Sequence, residues 1–273
     1  MSISLSIYNK NYYKKSRETS INLESNHGLL RFLEISKKSN YVIEFGCGEG
    51  TKLSRMNNGH NKLFGIDYSE NAIKIAKKRY HNVNFSKQNI EKTNFKYNKF
   101  DFTYSSFVME HTENPEKILK EMIRVTKKGG KIGIICPNFG SPIYRSPCSK
   151  ENFIKRFFRI IIRDLLIFKK DTKKIIWDKV TPIVTENKYL PDWDTTIEPS
   201  LLTFLHYLKG NNNVKVLEKS SLWELKNTTK PKKNFLYAPT LIIINIFYIL
   251  GINKVYPFKY YGPQLFIILE KTK

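Results

Sequence analysis

Between residues 41 and 137, short apolar runs and amphipathic helix-length stretches alternate five times, and nothing else constrains this chain's fold as strongly. Tyr41-Val42-Ile43-Glu44-Phe45 is an apolar run ending in glycines, as a buried strand should. Residues 51–56 read as a helical turn or two, and Lys62-Leu63-Phe64-Gly65-Ile66-Asp67 as a second strand. Ser69 then caps a helix predicted through Arg79, with Ala72, Ile73 and Ala76 on one face. Val83-Asn84-Phe85 and Phe100-Asp101-Phe102-Thr103-Tyr104 are the third and fourth strands. Pro115 opens a helix expected to run through Lys127, packed by Ile118, Leu119, Met122 and Val125. Lys127-Lys128-Gly129-Gly130 supplies cations and glycine for a helix stop. A fifth strand over 131–136 is halted by Pro137. Such alternation implies an α/β fold, a parallel sheet with helices on both faces.

The flanks read differently. Ile21, Leu29, Leu30, Leu33 and Ile35 predict a helix within 21–38. After Asn138 come Gly140, Pro142, Pro147, Pro182, Pro191 and Pro199 around a basic amphipathic stretch at 152–170, which reads as an inserted lid. Val214-Lys215-Val216-Leu217 and residues 264–270 are two late strands. Between them lies an apolar run at 235–250, interrupted by Pro239 and Asn245. It is shorter than the roughly 20 residues a spanning helix needs, so a buried or interfacial element is expected. The layout is then an N-terminal helical segment (1–39), a ligand-binding core (40–139), a lid (140–210) and C-terminal strands completing the sheet (211–273).

With 273 residues, 41% of them hydrophobic, the chain can bury a proper core. Cys47, Cys136 and Cys148 form neither a zinc pattern nor a disulfide framework, and the first 20 residues contain no secretory signal. A reducing, cytoplasmic setting follows, with no metal centre expected. The net charge of +23 suits an acidic partner such as RNA, anionic lipid or a phosphorylated substrate. Equally, scattered Lys alongside abundant Asn and Ile fits a compositional bias.

The first strand runs into Glu44-Phe45-Gly46-Cys47-Gly48-Glu49-Gly50, a loop whose backbone can approach a ligand closely. A dinucleotide site wants G-x-G-x-x-G; here the third glycine comes one residue early and Thr51 stands in its place. Glu44 would repel a pyrophosphate but tolerate an ammonium and a sulfonium. Asp67, ending the second strand, can accept both hydroxyls of a ribose, or can be simply a solvated strand-end carboxylate.

Val42-Ile43-Glu44-Phe45-Gly46-Cys47-Gly48-Glu49-Gly50 resembles motif I of class I S-adenosylmethionine-dependent methyltransferases, of the type 11-like group. Gly65-Ile66-Asp67-Tyr68-Ser69, Lys99-Phe100-Asp101-Phe102, Glu110-His111, Asn114-Pro115-Glu116 and Val125-Thr126-Lys127-Lys128-Gly129-Gly130 are similar to the motifs that follow, in order. The resemblance implies a Rossmann-like seven-stranded sheet whose late strands form a reversed hairpin. It also implies S-adenosylmethionine as cofactor: Gly46, Gly48 and Gly50 along its methionine and ribose, Glu44 at the methionine end, Asp67 at the ribose, and Tyr68 among the cofactor-binding residues. Asn89 and Ile90 would meet adenine, and Ser105 and Ser106 the methionine. Cys47 stands where this family often has Cys and needs no chemical role.

His111 is the best-placed general base, or else a structural histidine under the cofactor. His206, Asp192, Asp194, Glu198, Tyr144 and Arg145 could face substrate, though each is as readily a surface or structural residue. Ser105-Ser106-Phe107-Val108 contains no N/D-P-P-Y motif, which argues against base N-methylation, and Cys136 reads as buried packing. The expected acceptor is a hydroxyl of a small molecule or glycan. Short C-terminal stretches, Asp192-Trp193-Asp194-Thr195-Thr196 and 260–266, are similar to methyltransferases of surface-polysaccharide clusters. The alternatives are nucleic acid (RNA methylation) and a lipid-linked acceptor reached by peripheral membrane contact; oligomeric state is left open.

Overall fold

The computed structural model describes residues 12–14, 17–18, 26–167, 177–183, 192–222 and 238–273. Ile21, residues 168–170 of the basic stretch, Pro191 and residues 235–237 lie outside them.

Seven strands form one sheet in the order β3-β2-β1-β4-β5-β9-β8. The first five are β1 (Tyr41–Phe45), β2 (Lys62–Asp67), β3 (Val83–Lys87), β4 (Phe100–Ser106) and β5 (Thr126–Pro137). All their pairings are parallel. The late strands are β8 (Val214–Leu222) and β9 (Gln264–Lys271), and β9 pairs antiparallel with both β5 and β8. Helices α1 (His27–Lys37), α2 (Thr51–Ser54), α3 (Glu70–Arg79) and α4 (Pro115–Val125) follow the alternation. Beyond β5 come α5 (Phe153–Ile167), the two-residue strands β6 (Asp178–Lys179) and β7 (Ile197–Glu198), α6 (Leu201–Lys209) and α7 (Ala238–Ile252).

Strand alternation sorts the core into two layers. Ile132, Ile134 and Cys136 of β5 meet Leu265, Ile267 and Leu269 of β9 on the face covered by α4 and α6. Ile135, Phe266 and Ile268 point to the other face, against Phe32 of α1 and Ile73 and Ala76 of α3. Asn26 caps α1 by accepting from Leu29 N at 3.1 Å, and Ser69 caps α3 from Ala72 N at 3.3 Å.

One expectation is corrected. Helix α4 stops at Val125 rather than Lys127, because Thr126 already pairs with Phe100 as the first residue of β5. The pairing resumes at Phe102↔Lys131, so Lys127-Lys128-Gly129-Gly130 is a bulge within the strand. Gly129 takes φ +76° there, and Lys127 Nζ donates to Asp101 Oδ1 at 2.6 Å. The apolar 235–250 run is, where described, the helix α7: Phe247 is buried, while Ile242, Ile243, Ile246 and Ile249 are substantially exposed. No described helix is long and apolar enough to cross a membrane.

Candidate active site

The carboxyl ends of β1, β2 and β4 open into a cavity of about 450 Å³. Of the residues the sequence marked, Gly46, Gly48, Asp67, Tyr68, Asn89, Ile90, Ser106 and His111 line it; Glu44, Gly50 and Ser105 do not.

Gly48 has φ +53°, and a Cβ there would meet only Tyr13 Cε1 at 3.9 Å, so its bare backbone faces open space. Gly50, at φ +84°, serves the loop from beneath: a Cβ would lie 2.6 Å from the Phe85 ring. Asp67 ties the loop to the second strand, its Oδ2 accepting from Gly48 N at 2.9 Å and its Oδ1 from Ser69 N at 2.8 Å. A carboxylate has about four acceptor positions, so capacity remains for ligand hydroxyls. Burial raises the Asp67 pKa against the pull of these amides and of Lys52.

Glu44 lies fully buried behind the loop, where its Oε1 accepts from Ser106 Oγ at 2.6 Å and its Oε2 from Tyr104 OH at 3.2 Å. Burial lifts its pKa to about 7, opposed by Lys52, Ser106 and Tyr104. Lys52 Nζ, 4.0 Å from Glu44 Oε1, donates to the Ser106 carbonyl at 3.0 Å. Glu44 therefore organises the end of β4 rather than touching the cavity. Ser105 is buried, and its hydroxyl has no hydrogen-bond partner. Asn89 is exposed and spends one acceptor position on Glu91 N at 2.8 Å.

His111 ends a short 3₁₀ turn, Met109–His111. Its Nδ1 lies 3.4 Å from Asp194 Oδ1 and 3.2 Å from the Asp194 carbonyl, and its Nε2 3.6 Å from Glu110 Oε1. Burial disfavours the imidazolium, but Asp194 and Glu110 outweigh it and hold the pKa at about 8. Glu110 is buried with Oε2 unpartnered, and burial raises it to about 7. Thr196 fastens this turn, donating from its N to the Glu110 carbonyl at 2.8 Å and from its hydroxyl to the Thr112 carbonyl at 3.0 Å. Asp192, at φ +65°, accepts from Tyr144 OH at 3.2 Å.

The remaining candidates sit elsewhere. Glu198 is held by Arg156 at 2.7 Å, both buried. Arg145 is exposed, donating to the Glu151 carbonyl, and His206 lies on α6 away from the cavity. Cys136 is fully buried in the core. Sequence reasoning missed Tyr12, Tyr13, Lys52 and Thr196, which complete the cavity wall. The adjacent tyrosines of a Lys-rich N-terminus were the one available signal; their approach to the loop depends on tertiary packing.

The cavity suits a cationic ligand. Its described wall carries Glu49, Asp67, Glu91 and Glu113 against Lys52 and His111. Arg79 pairs Glu49 at 2.9 Å and Lys117 pairs Glu91 at 3.4 Å from outside the lining, so Asp67 is the carboxylate that keeps acceptor capacity beside the glycine loop. An ammonium and a sulfonium are favoured there and a phosphate is not.

Comparisons with known proteins agree. A family profile described as a methyltransferase domain matches residues 43–134. An uncharacterized protein of Methanocaldococcus jannaschii, MJ1123, is 38% identical over 116 residues, covering 41% of this chain and 54% of that one. A ubiquinone biosynthesis O-methyltransferase of Coxiella burnetii is 28% identical over 123 residues, 42% of this chain and 53% of that one. The match thus spans about half the length of these relatives. Among solved structures, an S-adenosylmethionine-dependent methyltransferase of Mesorhizobium loti shares the fold with a TM-score of 0.54 at 12% identity, over 89% of this chain and 95% of that one. Glycine loop, strand order and profile match converge on residues 43–134 as a methyltransferase domain of the class I, S-adenosylmethionine-dependent type.

Proposed function

We propose that the protein transfers a methyl group from S-adenosylmethionine to a hydroxyl of a small molecule or glycan. The observation that carries this reading is His111, which lines the cavity beside the glycine loop with its Nδ1 turned to Asp194. S-adenosylmethionine brings a methyl carbon already activated by its sulfonium. The protein's part is alignment, exclusion of water and removal of one proton. The cavity-lining Gly48 backbone and Asp67 would hold the cofactor's methionine and ribose. Asp194 fixes the His111 ring so that Nε2 can take the acceptor hydroxyl's proton as its oxygen bonds to the methyl carbon and the carbon–sulfur bond breaks. An oxygen acceptor also accords with the O-methyltransferase among the relatives.

The test is transfer of labelled methyl from S-adenosylmethionine to glycan, lipid and RNA fractions. Label should appear in a glycan or small-molecule fraction and fall at least about a hundredfold in His111→Gln. Label recovered in RNA, or full activity in His111→Gln, overturns the assignment.

A further inference from the structure

Helix α5 is built inside out. Its inward side carries the charges: Arg156 is buried against Glu198 at 2.7 Å, and Arg163 Nε donates to the buried Asp164 at 2.8 Å. Arg159 and Arg163 both reach Asp178, at 3.3 and 3.4 Å. Its outward side carries apolar residues alongside Lys155. Ile154, Phe158 and Ile162, spaced one turn apart, are each more than half exposed. A helix whose outer face meets only water has the opposite arrangement.

Helix α7 adds to this. Its 15 residues include no charged side chain. Phe247 packs inward, in a cluster with Ile160 of α5 and Tyr261, its ring 6.0 Å from that of Phe157 and 4.9 Å from that of Phe258. Ile242, Ile246, Ile249 and Ile252 stay about half exposed or more. The two helices therefore meet through one small apolar cluster, and each turns a further apolar stripe outward. Apolar surface on this scale marks an interaction site.

Charge selects the occupant. At +23, two copies of the chain repel one another, whereas an anionic surface attracts them. Lys150 before α5, Lys155 beside Ile154 and Lys254 just past α7 are exposed and form no ion pair among the described residues. Lysines so placed can lay their stems along apolar surface and leave their ammonium groups at a headgroup layer. Helix α7 has 15 residues against the roughly 20 that a span needs, and its exposed isoleucines would enter such a surface from the side. We propose that α5 and α7 form a docking surface for an anionic membrane, with Ile154, Phe158, Ile162 and the exposed isoleucines of α7 entering the headgroup–acyl boundary.

Sedimentation of the full chain with vesicles tests this, using mixed phosphatidylglycerol–phosphatidylcholine against pure phosphatidylcholine at physiological ionic strength. So basic a chain could adsorb through charge alone, so the decisive variant, Phe158→Ser/Ile246→Ser, leaves net charge unchanged. Binding should favour the mixed vesicles and weaken at least about tenfold in the double variant, with its melting temperature preserved because both positions are exposed. Equal binding of variant and parent would reduce the effect to non-specific adsorption and overturn the proposal. So would absence of binding, or light scattering that shows a dimer dissociated by the same double variant, which would make the face an interface between copies.

Discussion

Two carboxylates, the half-buried Asp67 and the buried Glu198, carry the same sign of perturbation and do opposite work. Burial raises the pKa of both. Asp67 is satisfied by backbone amides of the loop it clamps, which leaves acceptor capacity and negative charge facing the cavity. Glu198 is satisfied by the Arg156 guanidinium and Ser146 N, so its charge is neutralised inside the protein. Desolvation alone does not distinguish a ligand-binding carboxylate from a scaffolding one; the partner does.

Breaking the scaffolding pair should give the largest effect. Arg156→Ala leaves Glu198 buried and uncompensated, for a loss of about 3–5 kcal/mol of stability by urea unfolding, whereas Arg156→Met/Glu198→Leu should recover most of it. If the single variant is near neutral, the pair is not the anchor it resembles. His111→Gln comes next: kcat should fall at least about a hundredfold, roughly 2.7 kcal/mol, with cofactor affinity little changed. The pH dependence sharpens this. A base with its pKa raised to about 8 is mostly protonated at neutrality, so kcat/KM should climb with pH and level off above about 8. A flat profile would leave His111 a structural role.

On the ligand-binding side, Asp67→Ala and Gly48→Val should each weaken S-adenosylmethionine binding at least about tenfold, or 1.4 kcal/mol, by calorimetry on folded protein. Unchanged affinity in both would erase the contrast with Glu198. The smallest effect expected is from Ser200→Ala. Its hydroxyl accepts from Thr203 N at 3.1 Å as the cap of α6, and its loss should cost about 1 kcal/mol with cofactor binding unaltered.

What the sequence made legible was local. The glycine loop, Asp67 at a strand end and the alternation through Pro137 are encoded within a few neighbouring residues, and the sheet is built from them. What it hid was distant or orientational. Asp194 reaches His111 across 83 positions, and Tyr13 returns to a loop 35 residues on. The stretch at 152–170 is amphipathic in either reading, because periodicity gives a helix two faces without saying which one turns inward. Only the burial of Arg156 and Asp164 shows that the charged face does. The helix stop expected at Lys127 failed for a related reason: lysine and glycine suit a strand bulge as well as a helix end.

The attachment of Thr196 to the carbonyls of Glu110 and Thr112 also couples two distant stretches of chain. Thr196 is the residue of segment 192–196 that lines the cavity, and the two carbonyls it holds flank His111 on either side, so a substitution that displaces one stretch should displace the other across more than 80 positions of chain.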